Sequence, residues 1–558
     1  MEKSIRKKYP RGIGNRTYVL ILFVCIMFFL RDYMGFPSGV TYATDAILIF
    51  LFLMDFGRIK KAVLDAKAQT VYNVFLVLLF CMVIGVVVNF VAPRLVIWSL
   101  RNNLRLYLFF LICVAEFTEE NLDRLLKILN ALFWINVVFC TFQYFVEGRS
   151  GDTVGGLFGR QAGSTTYINI MICIMTCVIL GKYAAYQTTF PVVMAYIGAC
   201  LYLSILSELK VYYIEMFIIF AFVAIYTESK RRVAQILIFC AGAVVVCILV
   251  LIRFSPETMA VFTSQRAANM YLAGNGYTNA GDLNRVTALQ SIYRQFFTGN
   301  PFRLLFGFGA GYCEHSAYSI FESPFYVQYG YLNYRWFTHA WIFLEQGAIG
   351  LTLMVLFFVS MIFYAMRHRE IRRKDLMMAG VSFVPICILS IFYNSSLQTE
   401  SSYLLAFMCA IPFALVRENN EVEIEPGIVL NYITQHYEEI RGYGRSIPAL
   451  QSLFHRSNEA KGVRGETAHR KIRGTAFRKR KPIRATSGET ARGTGGAGGH
   501  LAAAAVRRSS GVPDTSRAGG RGKYALSDNE GRPYSTIHLK NIRQPYARPR
   551  AKRNPESV

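Results

Sequence analysis

The sequence predicts an all-α polytopic membrane protein of about twelve transmembrane helices, with a large external loop between spans nine and ten and a basic, disordered C-terminal tail. Three observations predict it. Of 558 residues 53% are hydrophobic, and they arrive in runs of about 20, the helix length that crosses a bilayer. Clusters of Lys and Arg fall between alternate runs, as short cytoplasmic loops require. Past Val416 the composition turns abruptly to Gly, Arg, Lys, Ala and Ser.

The runs are Tyr18–Tyr33, Tyr42–Met54, Val71–Val91, Leu104–Phe117, Leu129–Phe145, Tyr167–Leu180, Phe190–Ile205, Val211–Tyr226, Val233–Ile252, Ala340–Ala365, Met377–Phe392 and Tyr403–Val416. Arg31-Asp32 closes the first run without a small-residue cleavage site, so that run reads as a retained anchor. With both termini cytoplasmic, the N-terminal basic cluster, Arg58-Ile59-Lys60-Lys61, Lys230-Arg231-Arg232 and the stretch from Arg367 to Lys374 all fall inside. Arg94, Arg101 and Arg105 then fall outside, against the rule, marking either a local topological error or residues kept there for a job. Most of the twelve cysteines lie within the runs and read as small packing residues.

Residues 1–416 thus form the membrane domain and 417–558 the tail. The tail carries 27 Lys and Arg against 13 Asp and Glu, a net +14 of the chain's +26. Such a segment cannot bury enough apolar surface to offset its chain entropy. Its position on the cytoplasmic side predicts contact with anionic lipids or solvent. No zinc-ligand spacing or RNA-binding signature supports a nucleic-acid partner.

The loop at 253–337, some 85 residues, is long enough to predict a task. It holds Asn284-Arg285, Arg294, Asn300-Pro301-Phe302-Arg303 and the run Gly307-Phe308-Gly309-Ala310-Gly311. A nucleotide site is excluded, because the run lacks the strand, helix and downstream acid that such a site needs. The chain has no P-loop, no His-Glu-x-x-His and no Asp-x-Asp pair, so neither cofactor nor metal is expected.

The stretch from Arg285 through these glycines, followed by Thr338-His339 and by Glu345-Gln346-Gly347-Ala348-Ile349-Gly350, resembles the O-antigen ligase and polysaccharide polymerase superfamily. Gly155–Thr166 is similar to the first external loop of that family. The likeness covers about residues 155–350 and departs at two points. The spacing from His339 to Gly347 is about one helical turn short, putting Trp336 at the expected polar position; and Ser207-Glu208-Leu209-Lys210 stands where the family has Ser-Arg.

The resemblance implies transfer of a glycan from an undecaprenyl-diphosphate-type lipid carrier to a glycan acceptor at the external face, without nucleotide. Arg285, Arg160, His339 and Lys210 become the candidate catalytic residues, and Arg294, Arg303, Arg335 and Glu208 the candidate substrate-binding ones. Guanidinium forks suit a departing diphosphate, and a lysine keeps the charge without the fork. His339 stays open between a base and an interfacial packing residue; Glu345 reads equally as a helix-packing hydrogen bond. Implied partners are the lipid-linked glycan, membrane lipids and other polysaccharide-assembly proteins. The alternatives are ligase-type transfer to a lipid or protein acceptor, and a non-enzymatic lipid-linked glycan flippase. The two halves of the membrane domain show no convincing repeat, which weighs against the carrier.

Overall fold

A computed structural model describes residues 14–254, 263–264 and 281–435. They belong to one compact unit, Met1–Phe454, and are helical with no strand. Each of the twelve apolar runs lies on a long helix. These are α1 (Gly14–Met34), α2 (Tyr42–Asp65), α3 (Gln69–Val88), α4 (Pro93–Glu116), α5 (Glu119–Phe145), α6 (Thr165–Ala184), α7 (Phe190–Leu206), α8 (Lys210–Tyr226) and α9 (Lys230–Phe254). After three short helices, α10 (Ala288–Ile292), α11 (Pro301–Phe306) and α12 (Pro324–Tyr329), come α13 (Thr338–Arg367), α14 (Lys374–Tyr393) and α15 (Ser402–Gln435). Seven are long and apolar enough to cross a membrane, namely α1, α3, α4, α5, α6, α13 and α14; α7 is a shorter apolar helix. The protein is membrane-embedded on that ground.

Helix α6 sits at the centre, nearly all of it buried, and packs against α7, α8 and α14. Helix α4 packs against α2 and α15, and α13 against α3 and α14. Side-chain contacts sort the connections into two ends. At one end Thr17 bonds Glu116, Tyr364 reaches Ala66 O, Arg373 grips Asp123, Tyr186 meets Ser229 and Asn420 bonds Asp65 O. At the other, Arg160 N bonds Asp32, Ser207 bonds Val154 O, Asn89 bonds Gly307 O and Arg285 bonds Tyr393 O. Successive connections alternate between the ends, the arrangement of antiparallel neighbours joined by short links.

Four helix boundaries differ most from the sequence expectation; one is α5, which begins at Glu119 and not near Leu129. Helix α2 continues to Asp65, where a span ending at Met54 was expected, and α4 begins at Pro93 and not near Leu104. Helix α15 runs past Val416 to Gln435, and Arg417 donates to the carbonyls of Val114 and Phe117. The tail beyond 435, and residues 255–262 and 265–280 of the long loop, lie outside the described residues.

The described part of that loop, 281–337, has its own apolar core of Leu283, Ile292, Phe297, Phe308, Phe325 and Tyr334, closed against Phe343 and Leu344 of α13. The glycine run makes that closure. Gly347 leaves helical geometry at φ 66°, freeing carbonyls one turn earlier; Phe308 N and Gly309 N donate to Leu344 O and Glu345 O, both at 2.8 Å. A Cβ on Gly347 would lie 2.4 Å from Leu305 O, and one on Gly311 2.5 Å from Leu95 O, so side chains are excluded on both sides of the seam.

Candidate functional site

The site is built on one polar face of an otherwise apolar helix. Ser99, Asn102 and Asn103 of α4 are spaced three and four apart, which places them on one side, and all are buried. Glu345 meets that face: its Oε2 accepts from Asn103 at 3.2 Å and Ser99 at 3.4 Å, while its Oε1 accepts from Gly311 N and Cys313 N. Glu345 therefore makes the helix-packing hydrogen bonds weighed from sequence, and binds the glycine run to α4 and α13.

Arg105, fully buried, presents a two-pronged contact to Asp45 of α2, Nε to Oδ1 at 2.9 Å and Nη2 to Oδ2 at 3.0 Å. Tyr403 OH also donates to Asp45, and Glu400 lies 3.4 Å from Nη2. Arg101, one turn earlier, is 3.6 Å from the same Asp45 and has a side chain 19% exposed. Its guanidinium lies over Trp98 at 4.3 Å and Tyr42 at 4.9 Å, and Trp98 stacks in parallel on Phe321 at 4.6 Å. Nε and Nη1 of Arg101 are buried without a hydrogen-bond partner.

Arg335 comes to this place from the loop. Its guanidinium lies 4.1 Å over Trp341, its Nη2 donates to Glu314 Oε1 at 3.2 Å, and its Nε has no hydrogen-bond partner. The same Glu314 oxygen accepts from Asn102 at 2.9 Å, and Oε2 is buried and unpartnered. Burial pushes the Glu314 carboxyl up, opposed by the charges of Arg335 and Arg101. Two guanidiniums with unmet donors, each on an aromatic face, thus act on Glu314 by charge, Arg335 in direct contact and Arg101 from its pairing with Asp45, and Glu314 has an oxygen to spare. That combination suits an anion carried on a ring or chain able to lie against aromatic surface.

The residues expected from sequence fall in several places. Arg335 belongs to this cluster. Arg285 donates from Nε to Tyr393 O at 2.9 Å and lies 4.1 Å over the Tyr393 ring. His339 is buried, with Nδ1 3.2 Å from Ile391 O and Nε2 3.0 Å from Arg285 O. A carbonyl only accepts, so neutral His339 donates to one of the two and turns its other ring nitrogen toward the second; its ring lies between the Arg285 turn and the end of α14. Arg160 pairs with Glu147 at 2.6 Å and covers Tyr33 at 3.7 Å, in a separate set of contacts. Lys210 opens α8; Glu208 stands exposed at φ 50° in the turn before it, consistent with a pair that marks the entry to that helix. Arg294 and Arg303 are exposed, the latter 5.1 Å over Phe308, and Trp336 is exposed.

Asp45, Arg101, Arg105, Glu314 and Glu400 were not candidates from sequence, although the breach of charge asymmetry by Arg101 and Arg105 pointed at two of them. Compared with known proteins, the chain matches no protein-family model and no curated sequence.

Proposed function

We propose that the protein polymerises cell-surface polysaccharide, transferring a glycan from an undecaprenyl-diphosphate-type lipid carrier to a glycan acceptor at the external face of the membrane. The observation that carries the reading is the unmet guanidinium donors of Arg101 and Arg335 beside the unpartnered Glu314 oxygen, at the end of the bundle that bears the 281–337 segment. In this reading Arg101 and Arg335 receive the diphosphate and Trp98 and Trp341 flank the sugar. The acceptor oxygen attacks the anomeric carbon, the bond from that carbon to the diphosphate oxygen breaks with its electron pair on the diphosphate, and the acceptor proton passes to Glu314. The sugar–diphosphate bond supplies the driving force, so no nucleotide enters. Arg285, tied through His339, holds the neighbouring wall.

The test is transfer from a purified lipid-diphosphate donor by the full chain in liposomes. Arg101→Ala and Arg335→Ala should each lower turnover by roughly two to three orders of magnitude, as loss of a charge-assisted contact in a desolvated site does. Product length separates polymerase from ligase. Near-normal transfer by both variants would overturn the site, and lipid translocation without transfer by the wild type would make the protein a flippase.

A further inference from the structure

A second charged place lies at the opposite end of the bundle. There a cavity of about 310 Å³ opens between three connections: α6–α7 (Ala184 to Gln187), α8–α9 (Tyr226 to Ser229) and α13–α14 (Arg369 to Met378). Its cationic lining is Arg369, Arg372 and Lys374, against one acid, Glu228. Lys374 Nζ spends itself on that acid, 2.8 Å from both carboxylate oxygens. Arg369 and Arg372 are exposed, and neither donates a hydrogen bond nor forms an ion pair within 4 Å among the described residues.

The next arginine supplies the contrast. Arg373, turned away from the cavity, makes two-pronged contacts to both Asp123 and Asp375, at 2.7 to 3.0 Å. One arginine of the connection is thus a structural clasp, and the two beside it are presented to the cavity. The opposite wall is held in place. Tyr186 takes φ 62°, costly for a bulky residue, and is kept there by a 2.9 Å bond to Ser229 and by the Arg232 guanidinium between its ring and that of Tyr183, at 4.1 and 4.2 Å. The Tyr226 hydroxyl on this wall is buried with no hydrogen-bond partner.

We infer that this cavity binds a phosphate-bearing ligand. Two guanidinium forks match phosphate oxygens bidentately, Tyr226 and Ser229 add hydroxyls, and Met377 and Met378 give an apolar flank for what carries the phosphate. Basic pockets between helix ends at the cytoplasmic side suit an anionic lipid headgroup, and the same chemistry accepts a soluble phosphate ester.

The test uses the delipidated full chain in detergent, with native mass spectrometry reading bound phosphatidylglycerol against phosphatidylcholine, and inorganic phosphate and glycerol 3-phosphate as competitors. Wild type should retain phosphatidylglycerol selectively. Arg369→Ala/Arg372→Ala should weaken retention by roughly tenfold or more, as loss of charge-assisted hydrogen bonds predicts. Arg369→Lys/Arg372→Lys, which keeps the charge and guards against misfolding, should bind between the two. Lys60→Ala/Lys61→Ala, the same charge removed from exposed residues outside the cavity, should bind as wild type. Competition by either soluble phosphate, lost in the double alanine variant, would make the source soluble and keep the site. Equal retention by Arg369→Ala/Arg372→Ala, equal loss in Lys60→Ala/Lys61→Ala, or no binding of any phosphate compound to the wild type would each overturn the inference.

Discussion

Asp45→Ala isolates what the buried ion pair does for the fold. It removes two charge-assisted hydrogen bonds from Arg105, at 2.9 and 3.0 Å, and the acceptor of Tyr403 OH, and leaves a fully buried guanidinium with Glu400 at 3.4 Å as its remaining acidic neighbour. Breaking a buried pair on one side costs about 3–5 kcal/mol, because the orphaned charge stays desolvated. Glu400 and Gln398 O recover part of this, which puts the expected loss at the lower end of that range. Arg105→Met/Asp45→Ala removes both charges and should be closer to wild type than Asp45→Ala, a non-additivity that loss of packing alone would not give. The assay is the heat-dependent loss of the monodisperse peak in detergent for wild type, both single variants and the double. Additive losses, or Asp45→Ala indistinguishable from wild type, would refute the assignment of Asp45 as the counter-charge of Arg105.

Four further outcomes follow from the geometry. Gly347→Ala, with φ 66° and Leu305 O 2.4 Å from the new Cβ, should destabilise the same peak by about 2–3 kcal/mol or more. His339→Ala should lower thermal stability together with transfer, since the buried ring sits between two main-chain carbonyls and donates to one of them; a pure turnover defect at unchanged stability would return His339 to the role of base. In the proposed transfer Glu314 is the base and must be ionised; its carboxyl is pushed up by burial, so transfer should fall on the acid side at a pH above the ordinary carboxylate value of about 4.3, and Glu314→Gln should abolish that limb. With respect to topology, cysteines at Ser264 and Asn275 in a cysteine-free background should label with an impermeant reagent in intact cells, and those at Ser229 and Ser510 should not.

Much of the fold was legible because apolar run length and helix length are the same physical quantity in a membrane protein. Two of the missed boundaries, those of α4 and α15, share a cause. Helix α4 opens through Ser99, Arg101, Asn102, Asn103 and Arg105, and a hydropathy scan reads that stretch as loop, although these side chains turn inward to partners and not to water. Arg417 likewise ends the apolar run but caps the carbonyls that close α4. The site was less legible because its members are brought together across the chain: Asn102 meets Glu314 over 212 positions, and Arg105 meets Glu400 over 295. No local pattern carries such a contact. Charge placement did carry a trace of it, since an arginine on the wrong side of a membrane rule requires a partner or a purpose.

Arg101 and Arg105 show how one helix separates these two. They stand one turn apart and share Asp45, but a carboxylate has two oxygens, and Arg105 takes both at hydrogen-bonding distance. Arg101 is left at 3.6 Å, with aromatic faces on its flanks and two donors unmet. Glu345 cannot compensate, because both its oxygens are engaged by main-chain and amide donors that hold the glycine run. Glu314 gives one oxygen to Asn102 and Arg335 together, and its Oε2, though unpartnered, makes no hydrogen bond to Arg101 or to Arg335 Nε. Those donors are therefore left open to water or to an anion from outside the chain. In a partly desolvated place between tryptophans, an anion gains the larger share of that energy.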